Sequence, residues 1–269
     1  MCLILFAWRM HKDYPLVVAA NRDEFHARPT ERLAFWQDRP AVLAGRDSEA
    51  GGTWMGITRS GRFAALTNYR ELADRDRAGR SRGLLVSECL TDEAPAEASV
   101  TRATAEGEAY RGFNLLAADR EALWWTSNRG AGPIKLAPGL YGLSNHLLET
   151  PWPKVVRGKE RLGDALACSP SPQELLALLA DTSMAGEHEL PDTGVDRARE
   201  RMLSAARIVS PAYGTRASTV ILMRRDGRCS VTERSYDAAG AATDTLGYEF
   251  LLDIPGTSHT ARPGLIEAR

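Results

Sequence analysis

Cys2-Leu3-Ile4-Leu5-Phe6-Ala7-Trp8, and after it Leu16-Val17-Val18-Ala19-Ala20-Asn21-Arg22-Asp23-Glu24, form the opening stretch whose reading decides the fold. Residues 3–8 and 16–20 are short apolar runs, in part β-branched or aromatic, and His11-Lys12-Asp13-Tyr14-Pro15 between them is polar and closed by a proline. That pattern predicts a β-hairpin, whose second strand would run alongside Cys2. Four polar side chains follow Ala20 directly. With a side-chain period of two, Asn21 and Asp23 share one face, and Arg22 and Glu24 the other. Either the strand ends at Ala20 in solvated charges, or it continues and one polar pair points inward.

Cys2 has two readings of its own. A cysteine in this position is small enough for Met1 to be removed, leaving one residue with both a thiol and a free α-amine. Their reference pKa values are about 8.5 and about 7.7–8. Near neutral pH the amine can therefore take the thiol proton, and the residue is nucleophile and base together. The other reading is a small apolar residue at the head of a core strand, as most free cysteines are.

Composition bounds the alternatives. Lys plus Arg number 34 against 35 Asp plus Glu, a net charge of -1, so nothing draws the chain to nucleic acid or to an anionic membrane in general. Only four of the cations are lysines, at positions 12, 135, 154 and 159. The cysteines at 2, 89, 168 and 229 have neither zinc-site nor disulfide-framework spacing, and the five histidines are scattered, so no metal or cofactor is expected. Residues 3–8 are too short to span a membrane and lack the flanks of a signal peptide. These features predict a soluble cytoplasmic protein with one domain over residues 1–269 and a small-molecule substrate or ligand; they leave the oligomeric state open.

Further along, residues 30–39 read as a loop with some burial, and 41–45, 54–58 and 63–67 as short strands. Gly51-Gly52 implies either a plain turn or a place where side chains would block a close approach. Residues 70–82 carry five arginines with few apolar anchors, the pattern of a solvated loop at the mouth of a site. Helical patterns cover 83–90 and 95–110, and strands 113–118 and 123–126, where Trp124-Trp125 must put one indole on each face. Strands at 134–136 and 140–144 precede a helix opened by Pro151-Trp152-Pro153, with Val155, Lys159, Leu162 and Leu166 on one stripe. Residues 172–181 and 195–208 are helical, 218–223, 229–236 and 245–252 are strands, and the tail past 255 reads as loose. Strands first, helices in two middle blocks and strands last predict two stacked sheets flanked by helices, an α+β fold rather than a parallel α/β one.

Taken together, Met1-Cys2, Asn21-Arg22-Asp23-Glu24, Gly51-Gly52-Thr53-Trp54, Leu66-Thr67-Asn68-Tyr69-Arg70, Leu143-Ser144-Asn145-His146 and Tyr213-Gly214-Thr215-Arg216 resemble the NRDE family, also called the transport and Golgi organisation family. That family is similar in turn to N-terminal nucleophile hydrolases of the choloylglycine hydrolase type. The resemblance implies a four-layer αββα sandwich in which Cys2, Asp23, Asn68, Asn145 and Arg216 are the catalytic set, the two asparagines holding the oxyanion. Asn21, Arg22 and Trp54 would support the substrate. The first arginine of the hydrolase pattern aligns with Ala20, so Arg22 sits two positions later, roughly 6–7 Å along the strand on the same face. Two functions follow from the resemblance: an amidohydrolase acting on a non-peptide carbon–nitrogen bond, or a non-catalytic carrier of haem or of lipid and acyl metabolites.

Overall fold

The computed structural model describes residues 2–71 and 79–253. In chain order these form β1 (Cys2–Trp8), β2 (Leu16–Phe25), β3 (Thr30–Phe35), β4 (Val42–Asp47), β5 (Met55–Thr58), β6 (Phe63–Asn68), α1 (Gly83–Thr91), α2 (Ala96–Ala105), β7 (Phe113–Ala118), β8 (Leu123–Ser127), β9 (Ile134–Lys135), β10 (Gly139–Leu143), α3 (Pro153–Ala167), α4 (Pro172–Leu179), α5 (Arg197–Leu203), β11 (Tyr213–Met223), β12 (Arg228–Tyr236) and β13 (Ala242–Leu251). Most of the arginine-rich stretch, residues 72–78, and the tail from 254 lie outside the described residues.

The strands make two antiparallel sheets, ordered β10-β1-β2-β11-β12-β13 and β3-β4-β5-β6-β7-β8-β9. Side-chain alternation sorts them into layers. Ile4, Phe6 and Trp8 of β1, with Leu16, Val18 and Ala20 of β2, pack against Phe63, Ala65, Leu116 and Trp125 of the other sheet. The opposite faces of β1 and β2, Leu3, Leu5, Ala7, Val17 and Ala19, pack under α3 and α4. On the far side, Ala64, Leu66, Leu115 and Ala117 meet α1 and α2. The architecture is therefore helix, sheet, sheet, helix: a four-layer αββα sandwich. An isolated hairpin is marginal in water; β1 and β2 form because both of their faces are covered.

Several expectations change in detail. Residues 30–35 are a strand, not a loop: β3 edges its sheet with only Leu33 buried, so it lacks the alternation that marks half-buried strands. Helix α5 is shorter than the pattern over 195–208, because Asp196 caps its start by accepting from Arg199 N and the chain leaves the helix at Ser204. Trp124-Trp125 does split, Trp125 joining the core between the sheets and Trp124 packing on the α1–α2 side. Both readings of Gly51-Gly52 hold: Gly51 turns at φ +75°, and a Cβ on Gly52 would lie 2.5 Å from the Gly83 carbonyl carbon.

Candidate functional site

Strand β2 does not end at Ala20. It continues to Phe25 between β1 and β11, so Asn21, Arg22 and Asp23 are buried on both of its faces, and only Glu24 and Phe25 reach solvent. Asn21 and Asp23 fall on the helix-layer face and Arg22 on the face between the sheets. Asn21 is fully buried and its amide is fully used: Nδ2 donates to the Leu179 and Ala206 carbonyls at 3.0 and 2.7 Å, and Oδ1 accepts from Ser218 Oγ at 2.6 Å. It clips the helix layer to the sheet. Asp23 Oδ1 accepts from Thr215 Oγ1 at 2.6 Å, and Asp23 O from the Tyr213 hydroxyl at 3.1 Å, so β11 fixes this carboxylate from the side.

Cys2 heads the neighbouring strand. It pairs with Arg22 across β1 and β2, which puts both side chains on the face between the sheets. On its other flank β1 pairs with β10 from Ile4 opposite Leu143 onward, and carrying that register two residues further sets Asn145 opposite Cys2. The contacts agree: Ser144 Oγ lies 3.0 Å from Cys2 O and 3.2 Å from Asn145 Oδ1, while Asn145 Nδ2 donates to Asn68 O at 3.0 Å. Arg70 N then donates to Asn145 O at 2.7 Å. Thr67 Oγ1 donates to Ser144 O at 2.6 Å, and Asn114 Nδ2 donates to Thr67 Oγ1 and His146 O at 3.1 and 2.9 Å. This polar seam joins the two sheets at the Cys2 end. Thr67 and Ser144 stand inside the quoted motifs, but only the inter-sheet pairing reveals their work; Asn114 carries no sequence signal.

The remaining predicted residues are placed less directly. Asn68 touches the seam through its carbonyl, and strand alternation puts its side chain on the face of Leu66. Trp54 packs on the core between the sheets. Arg216 occupies a bulge in the β2–β11 pairing, and its Nη1 donates to the carbonyls of Phe25, the last residue of β2, and of Arg28 at 3.1 and 2.7 Å. Arg22 is the guanidinium beside Cys2: it is 7% exposed, with Nη1 buried and without a hydrogen-bond partner among the described residues. His146 engages both ring nitrogens, with the Tyr69 hydroxyl at 2.8 Å and Thr150 Oγ1 at 2.9 Å, and so serves packing.

Two buried charges escaped sequence reasoning. Lys154, in the first turn of α3, is 2% exposed, and its Nζ has no hydrogen-bond partner among the described residues. Nearby, Arg70 Nη1 meets Glu200 Oε2 at 2.6 Å with both side chains buried, and Arg70 stacks 4.5 Å over Trp152. Glu200 Oε1 also accepts from Thr193 N at 3.0 Å and from the Thr193 hydroxyl. Lysine after Trp-Pro reads as a solvated helix start, and nothing local contradicts that.

Burial sets the electrostatics. It pushes the Cys2 thiol up, and the Asp23 carboxyl adds to this, while the Asp23 backbone N–H bonded to the thiol and the Arg22 charge pull down. Burial likewise raises the Asp23 carboxyl against the Lys154 ammonium and the Thr215 hydroxyl. Lys154 is pushed down to about 8 by burial, opposed most by Asp23. The arrangement is a buried thiol held above its ordinary range, beside an arginine on one flanking strand and an amide residue on the other. A protonated thiol of this kind becomes nucleophilic only with a base to take its proton.

The sequence profile of the family described as Transport and Golgi organisation 2 matches residues 1–238. The human Transport and Golgi organization protein 2 homolog is 40% identical over 275 residues, 94% of this chain and 99% of the human one. The Bos taurus homolog is 41% identical over 284 residues, again 94% and 99% of the two chains. Among solved structures, the C2A mutant of conjugated bile acid hydrolase from Clostridium perfringens is similar with a TM-score of 0.49 at 9% identity, over 91% of this chain and 92% of that one.

Proposed function

The chain belongs to the Transport and Golgi organisation 2 family, and we propose that it hydrolyses a non-peptide amide bond of a small molecule with Cys2 as nucleophile. The observation that carries this reading is the position of Cys2 at the head of a central strand, between Arg22 on β2 and Asn145 just past β10. After removal of Met1, the α-amine of Cys2 takes the thiol proton as Sγ bonds to the acyl carbon. The negative oxygen that develops is met by the second N–H of Asn145 and by the Arg22 guanidinium. The amine then gives its proton to the leaving nitrogen as the carbon–nitrogen bond breaks, and water cleaves the resulting thioester to regenerate the thiol. Asp23, held by Thr215, orients the amine. Arg22 takes the place next to sulfur that Arg216, bound to the Phe25 and Arg28 carbonyls at the far end of β2, does not occupy.

The reading places the enzyme in the cytoplasm, where a reduced thiol persists. Among the described residues no helix is long and apolar enough to cross a membrane. The test is turnover of an amide and acyl-thioester panel by wild type and Cys2→Ala. Turnover lost in the variant, with ligand binding kept, is the expected result. Binding of haem or acyl compounds without turnover, equal in both proteins, would instead make it a carrier.

A further inference from the structure

We propose that the cavity between α3, α4 and β1 binds a single small inorganic anion, of the size and charge of chloride, through Lys154, Arg157 and Arg161. All three cations border that cavity, and their spacing of three and then four residues puts them on one face of α3, where like charges repel. Two atoms make this more than a basic stripe. Lys154 is 2% exposed, and its Nζ, like Nε of Arg157, is buried with no hydrogen-bond partner among the described residues. A buried charged donor without an acceptor is strongly unfavourable, and nearly all such groups in proteins have a partner. Burial lowers Lys154 to about 8, so at neutral pH it still carries its proton.

The acceptors around this cavity are already engaged elsewhere. Asp181 is the carboxylate that borders it; its Oδ1 accepts from Ser183 N at 2.8 Å, and its Oδ2 faces Arg161 Nη1 at 3.6 Å. Arg161 Nη1 also donates to Leu178 O at 3.4 Å, and Arg157 Nη2 to Ser183 O at 3.2 Å. These bonds tie the two arginines to the end of α4 and the turn after it, and they leave Lys154 Nζ and Arg157 Nε unserved. Three cations against one carboxylate also leave two positive charges uncompensated. A volume of about 10 Å³ admits one particle of roughly water size, which suits chloride and excludes phosphate, sulfate and organic acids. A water would satisfy the donors but not the charge, whereas a monatomic anion does both. Leu5 of β1 lines the same cavity, so the ion would hold α3 and α4 together over the strand that begins with Cys2. The site stands apart from the chemistry assigned to that cysteine.

The test is thermal unfolding of the full chain in sodium chloride against sodium gluconate, whose anion is too large for the cavity, at constant ionic strength and pH 7. A bromide-soaked crystal then places the ion by anomalous scattering. Chloride at about thirty times its dissociation constant should raise Tm by about 4–8 °C over gluconate, and the rise should saturate. Bromide should give an anomalous peak beside Lys154 Nζ and Arg157 Nε. Lys154→Met and Arg157→Met should each lose most of the chloride-dependent rise, whatever their own Tm in gluconate, while Lys159→Met, on the same helix but paired with Glu149, should keep it. Equal Tm in the two salts, or a chloride effect of the same size in wild type and both cavity variants, overturns the proposal. So does a water at that position in the bromide crystal. A bromide peak without a chloride effect on Tm marks an adventitious ion only and is likewise a refutation. If Lys154→Met does not fold, Arg157→Met carries the same comparison, since it removes the second unserved donor and leaves the lysine in place.

Discussion

Glu200→Gln tests whether the buried ion pair beside the seam holds the Asn145 end of the site. Arg70 follows Asn68 by two residues, its N–H fixes Asn145 O at 2.7 Å, and its guanidinium meets Glu200 Oε2 at 2.6 Å with side-chain exposures of 7% and 1%. Glutamine keeps the length and an oxygen for Thr193 N, so what is removed is the charge. Breaking a buried pair from one side costs about 3–5 kcal/mol, a large share of a total stability of about 5–15 kcal/mol. At about 2–4 °C per kcal/mol for a chain near this size, Tm should fall by about 6–20 °C. Urea unfolding followed by tryptophan fluorescence measures the loss, and Arg70→Met/Glu200→Gln should recover part of it, because both members of the buried pair are then uncharged. A loss under about 1 kcal/mol, the worth of an exposed pair, with no coupling in the double variant, would refute the reasoning.

Two further outcomes follow from the geometry. Because burial holds the Cys2 thiol above its ordinary range, its thiolate fraction at neutral pH is below that of a free thiol. Its alkylation rate should go on rising past about pH 8.5, and Arg22→Met should move the curve further up; a wild-type curve that levels at or below that pH counts against this electrostatic picture. Gly52→Ala places a Cβ 2.5 Å from backbone carbon of Gly83, and since backbone cannot rotate away, a loss of about 1–3 kcal/mol is expected in thermal unfolding; an unchanged Tm would show that α1 can shift.

What the sequence made legible divides along local and tertiary lines. The hairpin of β1 and β2, the split indoles of Trp124-Trp125 and the strand–helix–strand block order are carried by periodicity, which is local, and from them the layered fold follows. The continuation of β2 through Asn21-Arg22-Asp23-Glu24 could not be decided by alternation, because alternation separates buried from exposed faces and both faces of this strand are buried from Leu16 to Asp23. Lys154 and Glu200 are buried by elements far away in sequence, and Glu200 sits between arginines in a helix that reads as solvated. The difference between Arg22 and Arg216 depends on the bulge at β11. A one-residue irregularity of that kind leaves no mark in composition or period.

The central claim is that Cys2 is the nucleophile of a mature N-terminus. Intact mass and N-terminal sequencing of untagged protein, taken before and after reaction with an activated acyl ester, test it most directly. The account predicts loss of Met1, one acyl group added, and its place on Cys2 as a thioester released by hydroxylamine. Met1 retained, with no acyl group on Cys2 and the same panel activity in Cys2→Ala, would contradict it.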